Sequence, residues 1–206
     1  MLNIRIKHVL GVLENLNFNN ILDVGCRDCS ISKAIEKNIS YYGCDLFQNN
    51  EKSVAYVGNF MDVEFDRTFD CVIALDIVEH VDDPYILVDK LFELSNRYVI
   101  VSLPNCYDIR HKYLFCFKNT LGNKYTFNTY NSLDRHRWLM NYDEIILFYK
   151  FCANKFNSDI NISYLKTGLD NTKLFNRVVL FFLSLFLSKK DMTSTIFCIF
   201  EKKNKL

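Results

Sequence analysis

The sequence comprises 206 residues, of which 50% are hydrophobic, 15% aromatic and 24% charged. This composition excludes a disordered segment, a collagen-like fibre and a small disulfide-rich scaffold. Twenty-five lysine and arginine residues balance 24 aspartate and glutamate residues, so the formal net charge is only +1. No strong overall field draws the protein to a polyanion, and we expect neither a nucleic-acid partner nor an anionic membrane surface.

The cysteines and apolar runs bear on where the protein resides. Eight cysteines are scattered along the chain, and charged side chains interrupt its first ten residues, so we expect no signal peptide and reduced thiols in a cytoplasmic protein. The longest apolar run, residues 178–187, is about half of the roughly 20 residues that a transmembrane helix requires, so no membrane span is predicted. Only two prolines are available to mark a linker, and residues 1–206 are expected to form a single domain.

Periodic patterns along the chain predict alternating helices and strands. A first helix is predicted over residues 4–16, and a strand over residues 21–24 follows it and stops at Gly25. Further apolar runs predict strands at residues 41–45, 54–57, 69–75, 98–103, 160–165 and 195–200. Helical spacing predicts helices over residues 30–38, 84–94, 142–153 and 174–187. This alternation favours an α/β fold with a doubly wound sheet.

The stretch from residue 105 to residue 140 is long for a connection inside a compact domain, and it mixes aromatic with basic residues. We predict that it is an ordered insertion on the substrate side of the sheet. Its guanidinium groups suit the binding of a carboxylate or a phosphate. The alternative is structural, with Asp134 paired to Arg137 and Trp138 anchoring the insertion. The candidate substrate-binding residues are Arg110, Arg135, His136 and Arg137.

Polar residues and glycine follow the predicted strands, where a doubly wound sheet binds its ligands. Gly25 allows a sharp turn and a close approach of the backbone to a ligand. Asp45 lies about 20 residues after Gly25, the spacing at which nucleotide-binding folds place a carboxylate against a ribose diol. Asp76, Glu79 and His80 follow the fourth predicted strand.

These strand-end segments resemble the motif series of class I S-adenosylmethionine-dependent methyltransferases. The resemblance covers most of the chain and is strongest over residues 21–105. It is carried by Asp23-Val24-Gly25-Cys26, Gly43-Cys44-Asp45, Gly58-Asn59-Phe60 and Asp76-Ile77-Val78-Glu79-His80. It implies S-adenosylmethionine as cofactor and a Rossmann-like sheet of seven strands, mostly parallel with an antiparallel last strand.

The resemblance also implies roles for individual residues in cofactor binding. The cofactor is expected over Gly25 and Cys26, with Asp23 and Asp76 near its methionine end, Asp45 and Leu46 at its ribose, and Asn59 and Phe60 at its adenine. The sequence departs from the family pattern at Arg27 and Cys29, where further glycines are usual. These two departures bear on cofactor affinity.

The resemblance implies that the segment after the fourth strand lies where the methyl group would meet its acceptor. For a hydroxyl acceptor the transfer needs a base, and a neutral histidine suits that task, so His80 is the candidate base, with Asp76 and Glu79 beside it. The alternative is that His80 braces the following helix. The same three residues resemble a metal-binding trio in some quinone O-methyltransferases, but our prediction includes no metal.

The predicted function is therefore the transfer of a methyl group from S-adenosylmethionine to a small-molecule, glycan or lipid-linked acceptor, by O-methylation. A homodimer is compatible with this prediction.

Three other functions remain open. Arg27 and Cys29 are compatible with a methyltransferase-like binding protein that has lost turnover. The pair of Cys26 and Cys29, after a strand, is compatible with a dithiol redox centre. A zinc site would use Cys106, His111 and Cys116, but it lacks a paired-cysteine motif.

Overall fold

The computed structural model describes residues 3–36, 38–126, 134–167, 182 and 186–203. The helices described are α1 (Ile4–Leu13), α2 (Pro84–Leu94), α3 (Ile109–Lys118) and α4 (Tyr142–Lys155), with 3-10 helices at Val78–His80 and Asn123–Tyr125. The strands are β1 (Asn20–Val24), β2 (Ser40–Asp45), β3 (Tyr56–Val57), β4 (Phe69–Leu75), β5 (Ser95–Pro104), β6 (Ser158–Lys166) and β7 (Thr193–Lys202). Among the described residues, no helix has the length and apolar character needed to span a bilayer.

The strands form one seven-stranded sheet in the order β3-β2-β1-β4-β5-β7-β6. Strands β1 to β5 pair in parallel, whereas β7 is antiparallel to both β5 and β6. The chain order reverses between β1 and β4, and ligands bind at such a reversal, beyond the carboxyl ends of the strands. The predicted Rossmann-like fold class is confirmed.

The central strands are apolar because both faces of the sheet are covered. Alternate residues of β4 point to opposite faces, so that Val72 packs with α2 and α4 while Ile73 packs with α1. On the first face, Leu91 of α2 and Tyr149 of α4 are fully buried. Burying one such side chain stabilises the fold by about 1.5–3 kcal/mol.

Helices α2 and α4 each begin at an N-cap residue whose side chain accepts hydrogen bonds from the first backbone N–H groups. Asp83 accepts hydrogen bonds from the first backbone N–H groups of α2, and Pro84 occupies the first turn, where no N–H is needed. Asn141 and Glu144 form a reciprocal capping box at the start of α4. The predicted positions of these two helices are therefore confirmed.

The helix predicted over residues 30–38 is wrong for the residues that the structure describes. Residues 27–34 form successive turns, and Arg27 and Cys29 have φ angles of 50° and 52°. Left-handed residues do not propagate a right-handed helix, and hydrogen bonds from Ser32 to Cys29 and from Ala34 to Ile31 span three residues each. The apolar spacing instead buries Ile31 against the sheet.

The described part of the predicted insertion contains α3 and the 3-10 helix Asn123–Tyr125. Its two ends meet, because the backbone N–H of Cys106 donates to the carbonyl oxygen of Met140 at 2.9 Å. The helix predicted over residues 174–187 lies almost wholly outside the described residues.

Candidate active site

A cavity of about 540 Å³ opens beyond the carboxyl ends of the central strands. Its walls include Arg5 from α1, Gly25 from the loop after β1 and Glu79 from the segment after β4. The insertion contributes Arg110 and His136. A cavity of this size accommodates a small-molecule ligand.

Gly25 makes the sharp turn that ends β1 at the cavity wall. Its φ angle is 75°, and a Cβ atom there would lie 2.2 Å from Cδ1 of Ile77. The backbone N–H of Gly25 donates to the carbonyl oxygen of Cys44 on the neighbouring strand at 2.8 Å. Any larger residue at position 25 would therefore be strained and would collide with the segment after β4.

Asp23 lines the cavity with a carboxylate that is otherwise enclosed by protein. Its side chain is buried, and the hydroxyl group of Tyr41 donates to Oδ2 at 2.6 Å. Burial raises the pKa of Asp23 to about 7, although the hydrogen bond from Tyr41 opposes this rise. The carboxyl group can therefore change its charge near neutral pH.

Cys26 also lines the cavity, and its Sγ atom lies 3.6 Å from that of Cys29. Both thiols are buried and unbridged. Burial raises the pKa of Cys26 well above its ordinary value, with further contributions from Cys29 and Asp23. A reactive dithiol centre needs a lowered thiol pKa, so this environment disfavours the redox alternative.

Asp45 supports the loop after β1 from the end of β2. Its carboxylate accepts hydrogen bonds from the backbone N–H groups of Arg27 at 2.8 Å and Phe47 at 3.4 Å. Neither Asp45 nor the half-exposed Leu46 contributes to the lining of the cavity. The structure thus shows Asp45 beside the loop after β1, and its role toward a ribose stays a prediction.

The two residues predicted at the adenine have partners within the protein. The side chain of Asn59 donates to Asp62 at 2.9 Å and accepts from the backbone N–H of Met61 at 3.2 Å. Phe60 is buried, with its ring centroid 5.6 Å from that of Phe65. Neither side chain lines the cavity, so their contact with a nucleobase also stays a prediction.

Asp76 lies just after β4 in a left-handed conformation, with a φ angle of 53°. Its carboxylate accepts a hydrogen bond from the hydroxyl group of Ser102 at 2.7 Å and pairs with the guanidinium group of Arg5. Arg5 reaches the cavity from α1. The predicted trio of Asp76, Glu79 and His80 is therefore divided, because Asp76 is engaged elsewhere.

Glu79 carries a buried carboxylate with no hydrogen-bond partner. Its side chain is 0% exposed, and neither oxygen has a hydrogen bond within the described part of the chain. Oε1 lies 4.0 Å from Nε2 of His80 and 3.8 Å from Nε2 of His136. The two imidazole rings are nearly perpendicular, with centroids 4.6 Å apart. The compact cluster in the structure therefore contains Glu79, His80 and His136, and not Asp76 as the sequence predicts. We call it the Glu-His-His cluster.

The tautomer of His80 follows from the hydrogen bond that its Nδ1 atom makes. Nδ1 lies 3.0 Å from the carbonyl oxygen of Arg135, and a carbonyl oxygen can only accept. Nδ1 must therefore carry the proton, which leaves an electron pair on Nε2. That electron pair is on the nitrogen nearer to Glu79.

The cluster is electrostatically unusual. Burial raises the pKa of Glu79 to about 8, although Arg5 and Lys124 oppose the rise. Burial lowers the pKa of His136 to about 4, with help from His80 and Lys124, and burial also lowers the pKa of His80. Both imidazoles are therefore neutral at neutral pH, as metal-ligating histidines must be.

Within the described residues, Glu79, His80 and His136 form a group whose ligand atoms all lie within 4.8 Å of one another. A carboxylate oxygen and two neutral imidazole nitrogens can hold a divalent cation. The three residues predicted as a zinc alternative have other environments: Cys106 contacts Tyr125, His111 contacts Asp108, and Cys116 is exposed.

Hydrogen bonds fasten the segment that carries His136 to the segment after β4. The backbone N–H of Arg137 donates to the carbonyl oxygen of Glu79 at 2.8 Å, and Nε1 of Trp138 donates to that of Val81 at 2.9 Å. The contact between His80 and Arg135 is a third link. These links bring the insertion to the strand end.

The predicted substrate-binding residues occupy different places. Arg110 lines the cavity and is held by Asp108, with its two guanidinium nitrogens 2.6 and 2.9 Å from Oδ2. Arg137 pairs with Asp82 and does not line the cavity. Arg135 contributes its carbonyl oxygen to His80, and His136 joins the cluster.

Arg5, Lys124 and Tyr125 line the cavity and are functional candidates that were not predicted from the sequence. Arg5 gave no signal beyond being a cation on an amphipathic helix. Lys124 and Tyr125 lie in the 3-10 helix of the insertion, where Tyr125 contacts His136 and Lys124 pairs with Asp134. Only the aromatic and basic composition of the insertion indicated that such residues would be present.

Comparisons with known proteins agree with this fold. A family model described as a methyltransferase domain matches residues 5–148. Similar solved structures include the methyltransferase domain of the bacterial protein CtHen1, with a TM-score of 0.63 and 18% identity over 96% of this chain and 97% of that one. The small RNA methyltransferase HEN1 gives a TM-score of 0.62 and 14% identity over 98% of this chain and 25% of that one.

A third similar structure is the magnesium protoporphyrin IX methyltransferase of Synechocystis with bound SAH, with a TM-score of 0.57 and 13% identity over 97% of this chain and 82% of that one. A comparison with curated protein sequences found no match. At these identities the similarity to solved structures concerns the fold.

Proposed function

The chain belongs to the methyltransferase family and is an S-adenosylmethionine-dependent methyltransferase, and on this basis we propose that it methylates a hydroxyl oxygen of an acceptor held beside Glu79, His80 and His136. The observation that carries this proposal is the buried carboxyl group of Glu79, which has no hydrogen-bond donor among the described residues and faces two imidazole nitrogens. Such an arrangement is costly unless a proton or a bound cation neutralises the carboxylate, and two neighbouring imidazole nitrogens favour the cation.

The cofactor supplies a methyl group on a positively charged sulfur. In the proposed complex, Gly25 lets the cofactor approach the backbone, and Asp23 places a carboxylate in the same cavity. Asp45 acts from outside the cavity lining by holding the N–H of Arg27. Asp45 is also proposed to bind the ribose once the cofactor is present, as the sequence predicts.

We further propose that Glu79, His80 and His136 hold a divalent cation, which departs from the sequence-based prediction without a metal. The donor atoms suit a divalent cation, because the Glu79 oxygens have no hydrogen-bond partner among the described residues and His80 has an electron pair on Nε2. Two imidazole ligands favour a first-row transition metal over Mg²⁺ or Ca²⁺. A cation there would supply Lewis-acid chemistry, which favours ionisation of a neighbouring hydroxyl group.

The residues of the chain then have defined tasks during the transfer. The acceptor hydroxyl gives its proton to solvent water, and its oxygen then forms a bond to the methyl carbon while the bond from that carbon to sulfur breaks and leaves the sulfur neutral. In this proposal His80 is a ligand instead of the general base predicted from the sequence. Glu79 contributes the negative charge, and the insertion positions the acceptor.

The acceptor class is proposed from the side chains around the cavity. Arg5, Arg27, Arg110 and Lys124 line it, and each has a carboxylate partner within the protein. A phosphate or carboxylate on the acceptor can replace such a partner, since guanidinium groups bind these anions in bidentate fashion. We propose a small-molecule, glycan or lipid-linked acceptor that carries an anionic group.

A second candidate acceptor is RNA, which also presents hydroxyl groups next to phosphates. Two observations favour it: solved structures similar to this chain include small RNA methyltransferases, and Arg27 at the cavity has a side chain that is 75% exposed. The net charge of +1 weighs against a long RNA-binding surface. Direct assay distinguishes the two acceptor classes.

Titration of metal-depleted protein with Mn²⁺ tests the cluster. Mn²⁺ is a suitable probe because the buried thiols compete poorly for it. We expect wild-type protein and Glu93→Gln, an exposed matched control on α2, to bind Mn²⁺ equally, and Glu79→Gln to lose binding. Equal binding by Glu79→Gln would remove the proposed metal site but leave the cofactor assignment intact.

Transfer of a labelled methyl group tests the acceptor. Phosphorylated glycans, lipid-linked sugars and short RNA oligonucleotides are incubated with the enzyme, labelled S-adenosylmethionine and Mn²⁺. We expect a product whose methyl group is on oxygen and whose formation stops when Mn²⁺ is chelated. Methylation of nitrogen or carbon, or full activity with chelator, would contradict the proposal.

A further inference from the structure

A line of hydrogen bonds runs from the Glu-His-His cluster into the base of the insertion. Nδ1 of His136 lies 2.8 Å from the hydroxyl oxygen of Tyr125, and that oxygen lies 2.6 Å from Sγ of Cys106. The thiol of Cys106 in turn donates to the carbonyl oxygen of Pro104 over 3.7 Å. Tyr125 is half-buried and Cys106 is buried.

The direction of this line follows from the contact at its far end. The carbonyl oxygen of Pro104 can only accept, and when the thiol of Cys106 donates its one proton there, Sγ has no proton left to donate to Tyr125. Sγ of Cys106 then accepts the proton of the Tyr125 hydroxyl. The oxygen of Tyr125 is left to accept, and the proton that it accepts must be carried by Nδ1 of His136.

We infer that Tyr125 and Cys106 are positioning residues that hold His136 in the tautomer with its proton on Nδ1 and a free electron pair on Nε2, facing Glu79. The inference deepens the proposed function and rests on it for the metal, but the tautomer itself is a property of the metal-free protein. Metal-ligating histidines in general donate their second ring N–H to a neighbouring group, which fixes the ring and its tautomer.

The distances at the other side of the ring agree with this assignment. Nε2 of His136 lies 3.8 Å from Oε1 of Glu79, which is beyond hydrogen-bond length. An N–H group on Nε2 would be expected to draw the unpartnered carboxylate closer. His80 has the same arrangement, with its proton on Nδ1 toward the carbonyl oxygen of Arg135. Both imidazoles therefore present electron pairs toward Glu79.

The backbone holds Tyr125 in register with His136. The N–H of His136 donates to the carbonyl oxygen of Lys124 at 3.1 Å, so the two segments of the insertion are paired next to the side-chain contact. The N–H of Cys106 donates to the carbonyl oxygen of Met140 at 2.9 Å. The hydrogen-bond line is thus supported at both ends by backbone pairing.

Nitrogen-15 NMR of the histidine side chains in metal-free protein reads the tautomer directly. In wild-type protein we expect the His136 proton on Nδ1. Tyr125→Phe removes the acceptor and should give a mixture of tautomers. Cys106→Ala frees the Tyr125 hydroxyl to donate to Nδ1, which should move the ring proton to Nε2. Cys106→Ser keeps a donor and acceptor and should retain the wild-type tautomer.

Titration with Mn²⁺ provides a second readout on the same variants. We expect Tyr125→Phe and Cys106→Ala to weaken Mn²⁺ binding by about 10- to 100-fold, the range for loss of a group that orients a metal ligand. Cys106→Ser should bind nearly as wild-type protein does. Tyr113→Phe, at an exposed tyrosine of α3, is the matched control and should change neither readout.

The outcomes separate this inference from the proposed function. A wild-type His136 with its proton on Nε2 would overturn the inference, as would Tyr125→Phe protein that binds Mn²⁺ like wild type. Wild-type protein that keeps the proton on Nδ1 but binds no Mn²⁺ would contradict the proposed metal site and still support the hydrogen-bond line. Unchanged binding of S-adenosylhomocysteine shows that each variant is folded.

Discussion

The imidazole rings of His80 and His136 meet edge to face, with their centroids 4.6 Å apart, although the two residues lie in different segments of the chain. His80 ends the 3-10 helix after β4, and His136 lies in the last part of the insertion. Their meeting places the two nitrogens beside one buried carboxylate. The proposed metal site is therefore assembled between the sheet and the insertion.

Substitution of Gly25 by alanine tests the sharp turn after β1. An alanine that keeps the φ angle of 75° would be strained, and its methyl group would lie 2.2 Å from Cδ1 of Ile77. Relief of either problem requires the backbone or Ile77 to move. We expect Gly25→Ala to lower the free energy of unfolding by about 1–3 kcal/mol and to weaken cofactor binding. Chemical denaturation and calorimetric titration with S-adenosylhomocysteine measure the two effects.

Gly11 offers the matched control for that substitution. It lies in α1, and a Cβ there would have no atom within 4 Å. Gly11→Ala should raise helix stability by roughly 0.5–1 kcal/mol and leave cofactor binding unchanged. A Gly25→Ala protein as stable as Gly11→Ala, with unchanged affinity, would mean that the turn is not required.

Substitution of Asp45 by alanine tests whether its carboxylate supports the loop after β1 and binds the cofactor. The change removes the acceptor of the Arg27 N–H and the proposed ribose ligand, so we expect cofactor binding to weaken by about 1–3 kcal/mol. Asp159→Ala, at an exposed surface pair with Lys203, is the control. If titration gave the same affinity for both variants, the assignment of Asp45 to the cofactor would be lost.

The buried carboxyl group of Asp23 predicts a pH dependence of stability. Its pKa is raised on folding from 3.8 to about 7, so between these values the folded protein binds more protons than the unfolded chain. This contribution is fully present below about pH 4 and is lost as the pH rises through about 7. At about 1.4 kcal/mol per pKa unit, the loss approaches about 4 kcal/mol.

Asp23→Asn removes this titration. Urea denaturation between pH 5 and pH 8 should show a smaller decrease in the free energy of unfolding for the variant than for the wild-type protein. Asp70→Asn, at a partly exposed position of β4, serves as the comparison. Parallel curves for wild type and Asp23→Asn would show that the Asp23 carboxyl group titrates at an ordinary pKa.

Substitution of Trp138 tests whether its hydrogen bond to the segment after β4 is needed for the proposed metal site. Its indole N–H donates to the carbonyl oxygen of Val81, next to the segment of Glu79 and His80. Trp138→Phe loses this bond, worth about 1 kcal/mol, and should weaken Mn²⁺ binding by about fivefold. Phe151→Leu, at a half-exposed position of α4, should bind Mn²⁺ as the wild type does. Equal affinities would show that the other links suffice.

The sheet could be predicted from the sequence because each central strand is an apolar run that stops at a turn residue. Phe69–Leu75 is buried on both faces, and this requirement alone explains its composition. The family resemblance supplied the antiparallel last strand. The helix over residues 30–38 failed because apolar spacing does not distinguish a helix from a series of turns that buries the same residue, Ile31.

The site could be predicted only in part. Glu79 and His80 were identified together as catalytic candidates, whereas His136 was identified as a substrate-binding residue, because its contact with them depends on the path of the insertion and not on local pattern. Arg5 was missed since a cation on a surface helix is ordinary, and only the tertiary structure brings it to Asp76. Contacts between distant segments are not encoded in periodicity.

Hydrogen bonds tie Arg137 and Trp138 to the segment after β4. The geometry of the Glu-His-His cluster and the composition of the acceptor-side wall therefore depend on different parts of the insertion. The ligand geometry depends on this short connection, whereas α3 has no buried residue and contributes Arg110 and Leu114 to the cavity wall. Residues on α3 other than His111, whose ring packs edge to face against Tyr125, can therefore change without disturbing the cluster. An enzyme built in this way can acquire a new acceptor through exchange of one helix while its methyl-transfer chemistry is inherited intact.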